Sequence, residues 1–224
     1  MNFTEYNVND KNLEEILLAL KSLDAVEAVA LGGSRSTGEA DENSDYDIYV
    51  YCSEIPTGKT RENLLGKYCS VAEFGNHYWE SEDNTVMNNG TPVDIIYREI
   101  DRFGGYIDTV IKGGKAFNGY TTAFWHNIRN SKVLFDKTGT FTKFRDMAQI
   151  DYPENLRRAI IKNNRSLLSG KLPSYDRQIK KMQERGDIVS VNHRITAFLE
   201  SYFDVIFALN RQTHPGEKRQ VQLC

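Results

Sequence analysis

The chain has 224 residues, 40% of them apolar and 26% charged, with a formal net charge of −3. That length allows one large domain or two small ones with ample core, and the composition is ordinary for a soluble globular protein. The longest apolar stretches fall far short of a membrane span, the N-terminus lacks a basic-then-apolar signal pattern, and Cys52, Cys69 and Cys224 are too few for a disulfide framework. A cytoplasmic setting is the default expectation. A nucleic-acid grip asks for a basic excess or stripe, which this net charge speaks against. Local basic clusters at Arg157, Arg158, Lys162 and Arg165, and at Lys218 and Arg219, read equally as exposed helix faces or as contacts to a nucleoside triphosphate. Cys224 follows a polar, basic stretch, which leaves open that the natural chain runs on.

In chain order, Leu13, Ile16, Leu17, Leu20 and Leu23 recur at helical spacing over residues 12–23, with Asn12 and Glu15 as a capping box. Val26 to Leu31 is a short apolar run ending at two glycines, the pattern of a buried strand leading into a turn. Asp47 to Cys52 is a second strand, residues 61–73 a helix, and Val93 to Tyr97 a third strand. Together they make a small unit of helix, strand, turn, strand, helix, strand. Residues 98–150 form a bridge, helical over Ile100 to Ile111 despite Gly104 and Gly105, with a short strand at Lys132 to Asp136. From Pro153 the character turns helical. Pro153 suits a first turn, and Leu156, Ile160, Ile161, Leu167 and Leu168 form an apolar stripe. A long helix follows from about Ile188 to Asn210; its Phe198, Tyr202 and Phe203 read as core or as a pocket lining. The expected fold class is α+β, a mixed-sheet domain over 1–150 followed by a helical bundle over 151–224.

The chemistry concentrates in Gly32-Gly33-Ser34-Arg35-Ser36-Thr37-Gly38 and, directly after it, Ser44-Asp45-Tyr46-Asp47-Ile48-Tyr49-Val50. A Gly-Ser turn can cradle phosphate oxygens with backbone N–H groups, because glycine allows close approach and positive φ. Asp45 and Asp47 enter an apolar strand, where residues i and i+2 share a face. Two carboxylates side by side repel unless a cation lies between them, and oxygen-only ligation suits Mg²⁺. Asp94 sits inside the apolar run Val93 to Tyr97, where an acid is costly to bury unless paired or metal-bound; the plain alternative is a wet edge strand.

Competing motifs fail on the residues. A Walker A loop needs lysine where Glu39 stands, and an EF-hand counted from Asp41 would put Tyr46 and Cys52 at its glycine and acid positions. His77, His126, His193 and His214 have no metal-ligand spacing, and Ser34 lacks the Gly-x-Ser-x-Gly frame of a hydrolase elbow. Glu99 and Asp101 read as a solvated helix start.

The Gly-Ser pair, short loop, Asp-x-Asp strand and later third acid together resemble the DNA polymerase β-like nucleotidyltransferase superfamily. The two-part plan resembles, within it, bacterial enzymes that adenylylate aminoglycoside or lincosamide antibiotics. The resemblance covers about residues 12–100. It implies that Gly33 and Ser34 hold the triphosphate, that Asp45, Asp47 and Asp94 bind one or two Mg²⁺ ions, and that Asp94 is metal ligand or base. Arg35 is a candidate phosphate contact through its planar donors, with a plain surface arginine as the other reading. Lys218 is a weaker candidate of the same type. The implied activity moves an NMP, AMP from ATP, onto a hydroxyl of a small molecule with release of pyrophosphate. In such relatives the helical part supplies acceptor contacts, and a homodimer is a live arrangement. Two other readings stay open, a regulator that AMPylates protein and a nucleotide-binding module without turnover.

Overall fold

The computed structural model describes residues 8–42, 44–170 and 172–224. The first helix, α1 (Lys11–Lys21), is capped by Asp10, whose carboxylate accepts from the amides of Asn12 and Leu13. That satisfies two of the donors a helix start leaves bare, and it places the cap before the Asn12–Glu15 box expected from sequence. Leu13, Ile16, Leu17 and Leu20 are buried, as their spacing predicts.

Six strands, β1 (Val26–Leu31), β2 (Tyr46–Cys52), β3 (Cys69–Asn76), β4 (Ser81–Met87), β5 (Pro92–Glu99) and β6 (Lys132–Asp136), form one sheet in the order β3-β4-β5-β2-β1-β6. β2 and β5 run parallel and the other neighbours antiparallel, so the sheet is mixed. Period-two alternation divides β2 between two faces. Ile48, Val50 and Cys52 join Val93, Ile95 and Tyr97 of β5, and the apolar face of α1, in one core. Each fully buried Leu or Ile there stabilises the fold by about 2 kcal/mol. Asp47, Tyr49 and Tyr51 take the opposite face.

The helix expected over 61–73 is instead α3 (Gly58–Leu65), followed by a 3₁₀ turn at Gly66–Tyr68 and then by strand β3. Pairing decides this region, since Val71 lies opposite Val86 and Glu73 opposite Asn84, while local propensity in so polar a stretch gives no strand signal. Arg61 of α3 and Asp83 of β4 sit 3.4 Å apart, both almost wholly buried, and the Gly75 amide donates to Asp83. Arg61 also lies over the Tyr97 ring at 4.4 Å. These contacts tie α3 to the β3–β4 edge.

The chain divides into two units, with divisions inside α4 (Ile100–Ile111), inside α5 (Ala123–Asn130) and between Gln149 and Ile150. One unit comprises the chain through Gly105 together with Asn127–Gln149, including α6 (Thr140–Met147). The other comprises Tyr106–His126 and Ile150–Cys224, with α7 (Glu154–Leu168), α8 (Tyr175–Glu184), α9 (Ile188–Leu209) and α10 (Gln220–Leu223). Pro153 caps α7 from outside the helix, Asn210 ends α9, and α8 has no counterpart among the sequence expectations. Among the described residues no helix is long and apolar enough to cross a membrane.

A buried polar network organises the helical unit. Asp204 of α9 accepts from the Thr121 amide at 3.1 Å and hydroxyl at 2.7 Å, and from Asn164 of α7 at 2.9 Å. Asn164 in turn accepts from the Gly119 amide at 3.0 Å. Burial pushes the Asp204 carboxyl up to about 6, with the Thr121 and Asn164 bonds pulling the other way. Burial likewise pushes His214 down to about 4. Phe203 packs against Phe207 while Tyr202 stays 41% exposed, so the aromatic run at 198–207 is divided between core and surface.

Candidate active site

The turn at 32–38 and the strand β2 are built around each other. Gly32 donates its amide to the Asp47 carbonyl at 2.9 Å, which joins the turn to the strand. Gly33 opens the short helix α2 (Gly33–Thr37) with φ of +60°. A Cβ on Gly33 would overlap the Asp47 carboxylate, and one on Gly32 would overlap the Tyr49 ring. The glycine doublet therefore lets two consecutive outward-facing side chains of β2 lie against main chain. Ser36 and Thr37 donate their hydroxyls to the carbonyls of Gly33 and Ser34, and Gly38 closes the turn at φ +81°. Ser34 is half-buried, and its hydroxyl has no hydrogen-bond partner among the described residues. The first amides of α2 lack intrahelical acceptors, as at any helix start.

Three carboxylates meet beside this turn. Asp45, Asp47 and Asp94 are each half-buried and offer oxygens that all lie within 4.8 Å of one another. Register explains the meeting: β2 and β5 are parallel neighbours, and Asp47 and Asp94 are direct partners across them. Such a group of like charges fits a hard divalent cation, whose ligands are carboxylate oxygens. Arg35 is engaged nearby in a different way from the one its sequence position suggests. Its Nε donates to the carbonyls of Asp45 at 2.9 Å and Ser44 at 3.2 Å, and its guanidinium lies 4.0 Å above the Tyr46 ring. Arg35 thus clasps the loop that carries Asp45. Lys218 is exposed and belongs to the helical unit. Glu99 and Asp101 are exposed at the start of α4.

Sequence reasoning missed the residues that surround Asp94. Asn84, opposite Asp94 on β4, donates its amide to Asp94 Oδ1 at 3.1 Å, and Asn76 donates to Asn84 Oδ1 at 2.8 Å. This relay pins one oxygen of Asp94. Arg98, two pleats along β5 on the same face, makes a two-pronged pair with Glu80 at 2.6 and 2.7 Å and donates to Asn127 at 2.9 Å. Its guanidinium also covers the Tyr49 ring at 4.4 Å. Burial works against the charge on Arg98, but Tyr51 and the Glu80 carboxylate outweigh it and raise its pKa. Tyr49 is pushed up to about 12, by burial first, and remains a neutral phenol. The signal for Arg98 was present, since 94, 96 and 98 alternate along a strand once the strand is extended to Glu99.

Two substitutions and one control test this construction. Gly33→Ala is expected to cost about 1–3 kcal/mol in urea unfolding and to weaken Mn²⁺ binding, because the new Cβ displaces Asp47. Gly38→Ala, whose added carbon meets open space, is the control and should leave Mn²⁺ binding unchanged. Asn84→Ala frees Asp94 to rotate and is expected to weaken Mn²⁺ binding about 10–100-fold at nearly unchanged stability. Wild-type affinity in Asn84→Ala would show that Asp94 is oriented without the relay.

Known families match the chain in two pieces. A nucleotidyltransferase domain family matches residues 13–117, and a domain of unknown function (DUF4037) matches residues 122–219. No curated protein matches the chain. Among solved structures, a nucleotidyltransferase-like protein from Exiguobacterium sibiricum 255-15 is similar at 10% identity and a TM-score of 0.46, over 95% of this chain. The chain spans 62% of the length of that protein. Residues 13–117 thus match a nucleotidyltransferase domain, and Asp45, Asp47 and Asp94 all fall within that span.

Proposed function

We propose that this protein transfers a nucleoside monophosphate, AMP from ATP, to a hydroxyl of a small molecule such as an antibiotic. The observation that carries the reading is the convergence of Asp45, Asp47 and Asp94 beside the Gly-Ser turn. These carboxylates would hold one or two Mg²⁺ ions, since their oxygens are mutually close, half-buried and of the hard donor type that Mg²⁺ takes. When bound, the metal supplies charge neutralisation on the triphosphate and a template for in-line displacement.

The remaining work falls to the chain itself. Gly33 and Ser34 hold the phosphates through main-chain N–H groups, with the unbonded Ser34 hydroxyl as a further donor. Arg35 keeps the Asp45 loop in place from behind. Asp94, oriented by Asn84, receives the proton of the acceptor hydroxyl or shares in holding the cation. The acceptor oxygen forms a bond to the α-phosphorus, the bond to the bridging oxygen breaks, and pyrophosphate leaves.

The test is ATP labelled at its α-phosphate, with Mg²⁺ and a panel of aminoglycosides, lincosamides and cell-extract metabolites. Label on a small molecule with matching pyrophosphate release, both absent with Asp45→Asn, is the expected result. Label on protein alone would replace the acceptor class with a polypeptide. No label anywhere, with the nucleotide still bound, would replace the enzyme with a binding module.

A further inference from the structure

The helical unit carries a second concentration of charge that nucleotidyl transfer does not use. On α7, Arg157, Arg158, Lys162 and Arg165 line a groove of about 640 Å³ together with Ile161 and Ser166. Helical periodicity puts them on one side, and the span from Arg158 to Arg165 is about 10 Å of helix axis. Three arginines, Arg157, Arg158 and Arg211, share the single carboxylate of Glu154 at 3.0 to 3.3 Å. Lys162 and Arg165 have no ion-pair partner among the described residues. Asp176, the other carboxylate near the groove, is already tied by Ser169, Ser174 and the Arg177 amide.

This arrangement is unfavourable as it stands. Arg158 and Lys162 are like charges at i,i+4, and Lys162 and Arg165 at i,i+3, spacings at which repulsion destabilises a helix. The Arg157 Nε is buried without a hydrogen-bond acceptor, although a half-buried arginine ordinarily finds one. An anion in the groove would offset the like-charge repulsion. The volume lies within the range of small-molecule sites, and the lining is partly apolar.

We propose that the α7 groove is a binding site for a small molecule carrying two or more phosphate-type groups, held by cations without metal. The site is independent of the carboxylate triad and does not rest on the nucleotidyl-transfer reading. Lys162 and Arg165 supply the free charge, and Ile161 an apolar surface for the rest of the ligand.

Pyrophosphate is the first probe, titrated calorimetrically in EDTA into wild type, Asp45→Asn and a Lys162→Gln/Arg165→Gln double variant, with a single-stranded RNA series alongside. The expected result is saturable binding that is equal in wild type and Asp45→Asn and at least tenfold weaker in the double variant. Both substituted side chains are exposed, so the double variant should retain the wild-type circular dichroism and melting curve. No binding by wild type, binding that needs Mg²⁺ and Asp45, or equal binding by the double variant would overturn the proposal. Affinity that rises with RNA length while pyrophosphate fails to saturate would assign the face to nucleic acid and overturn it too.

Discussion

Asp47→Asn should lower nucleotidyl transfer at least about 10³-fold while leaving the unfolding midpoint unchanged or slightly raised. The two halves of that result come from one geometry. Asp47 lies between the turn and the triad: its carboxylate packs on Gly33, and its oxygen falls within 4.8 Å of those of Asp45 and Asp94. Asparagine fills the same space, so the close approach to Gly33 survives. One of three mutually repelling charges is removed, which relieves the folded protein rather than weakening it. On the proposed function, the same change would take a charged oxygen from the cation that neutralises the triphosphate, and the transition state would lose that stabilisation. A structural carboxylate would behave the opposite way, losing stability and activity together. Kinetics and calorimetry on the one variant separate the two cases.

In the helical unit, Asp204→Asn and His214→Gln should bend the pH dependence of stability in opposite directions. Asp204 titrates at about 6 in the folded chain against an ordinary 3.8, so the fold favours its protonated form. Its contribution is present below about 4 and is lost as pH rises through 6. His214 titrates at about 4 against an ordinary 6.5, so the fold favours its neutral form. That contribution is present above 6.5 and is lost as pH falls towards 4. Between pH 4 and 6 the two slopes oppose each other, and the wild-type unfolding energy should be nearly level there. Each shift corresponds to about 3 kcal/mol by linkage. Asp204→Asn unmasks the histidine, so stability climbs by about that amount from pH 4 to 6.5. His214→Gln unmasks the carboxyl, so stability falls by a similar amount from pH 4 to 6. Urea unfolding in steps of half a pH unit measures both, and curves parallel to wild type would show that neither burial cost is real.

The legible parts of the fold are those where one period dominates the local sequence. Val26 to Leu31, Lys132 to Asp136 and Ile100 to Ile111 announce their elements through continuous or amphipathic apolar patterns, and the structure has them with the same bounds. The pairing of Asp45 with Asp47 was legible from their spacing at the entry to an apolar strand, while Asp94 was joined to them through the family resemblance, and the structure brings the three together. What stayed hidden depends on pairing between distant residues. β3 and β4 are polar strands that exist because each lies beside another, so residues 69–73 read as the end of a helix. Asn84 gains its place only through the register that sets it opposite Asp94. The buried Arg61–Asp83 pair joins residues 22 positions apart, and neither has a neighbour in sequence that hints at the other. Arg35 shows the converse. Its position in a phosphate turn suggested a ligand contact, while its side chain curls back to hold Ser44 and Asp45.

The most direct test of the triad as a metal centre is anomalous diffraction at the manganese edge from crystals grown with Mn²⁺ and a non-hydrolysable ATP analogue. The account predicts manganese peaks among the carboxylates of Asp45, Asp47 and Asp94, with phosphate density running from them to Gly33 and Ser34. Manganese or triphosphate bound elsewhere, with the three carboxylates left facing water, would contradict it.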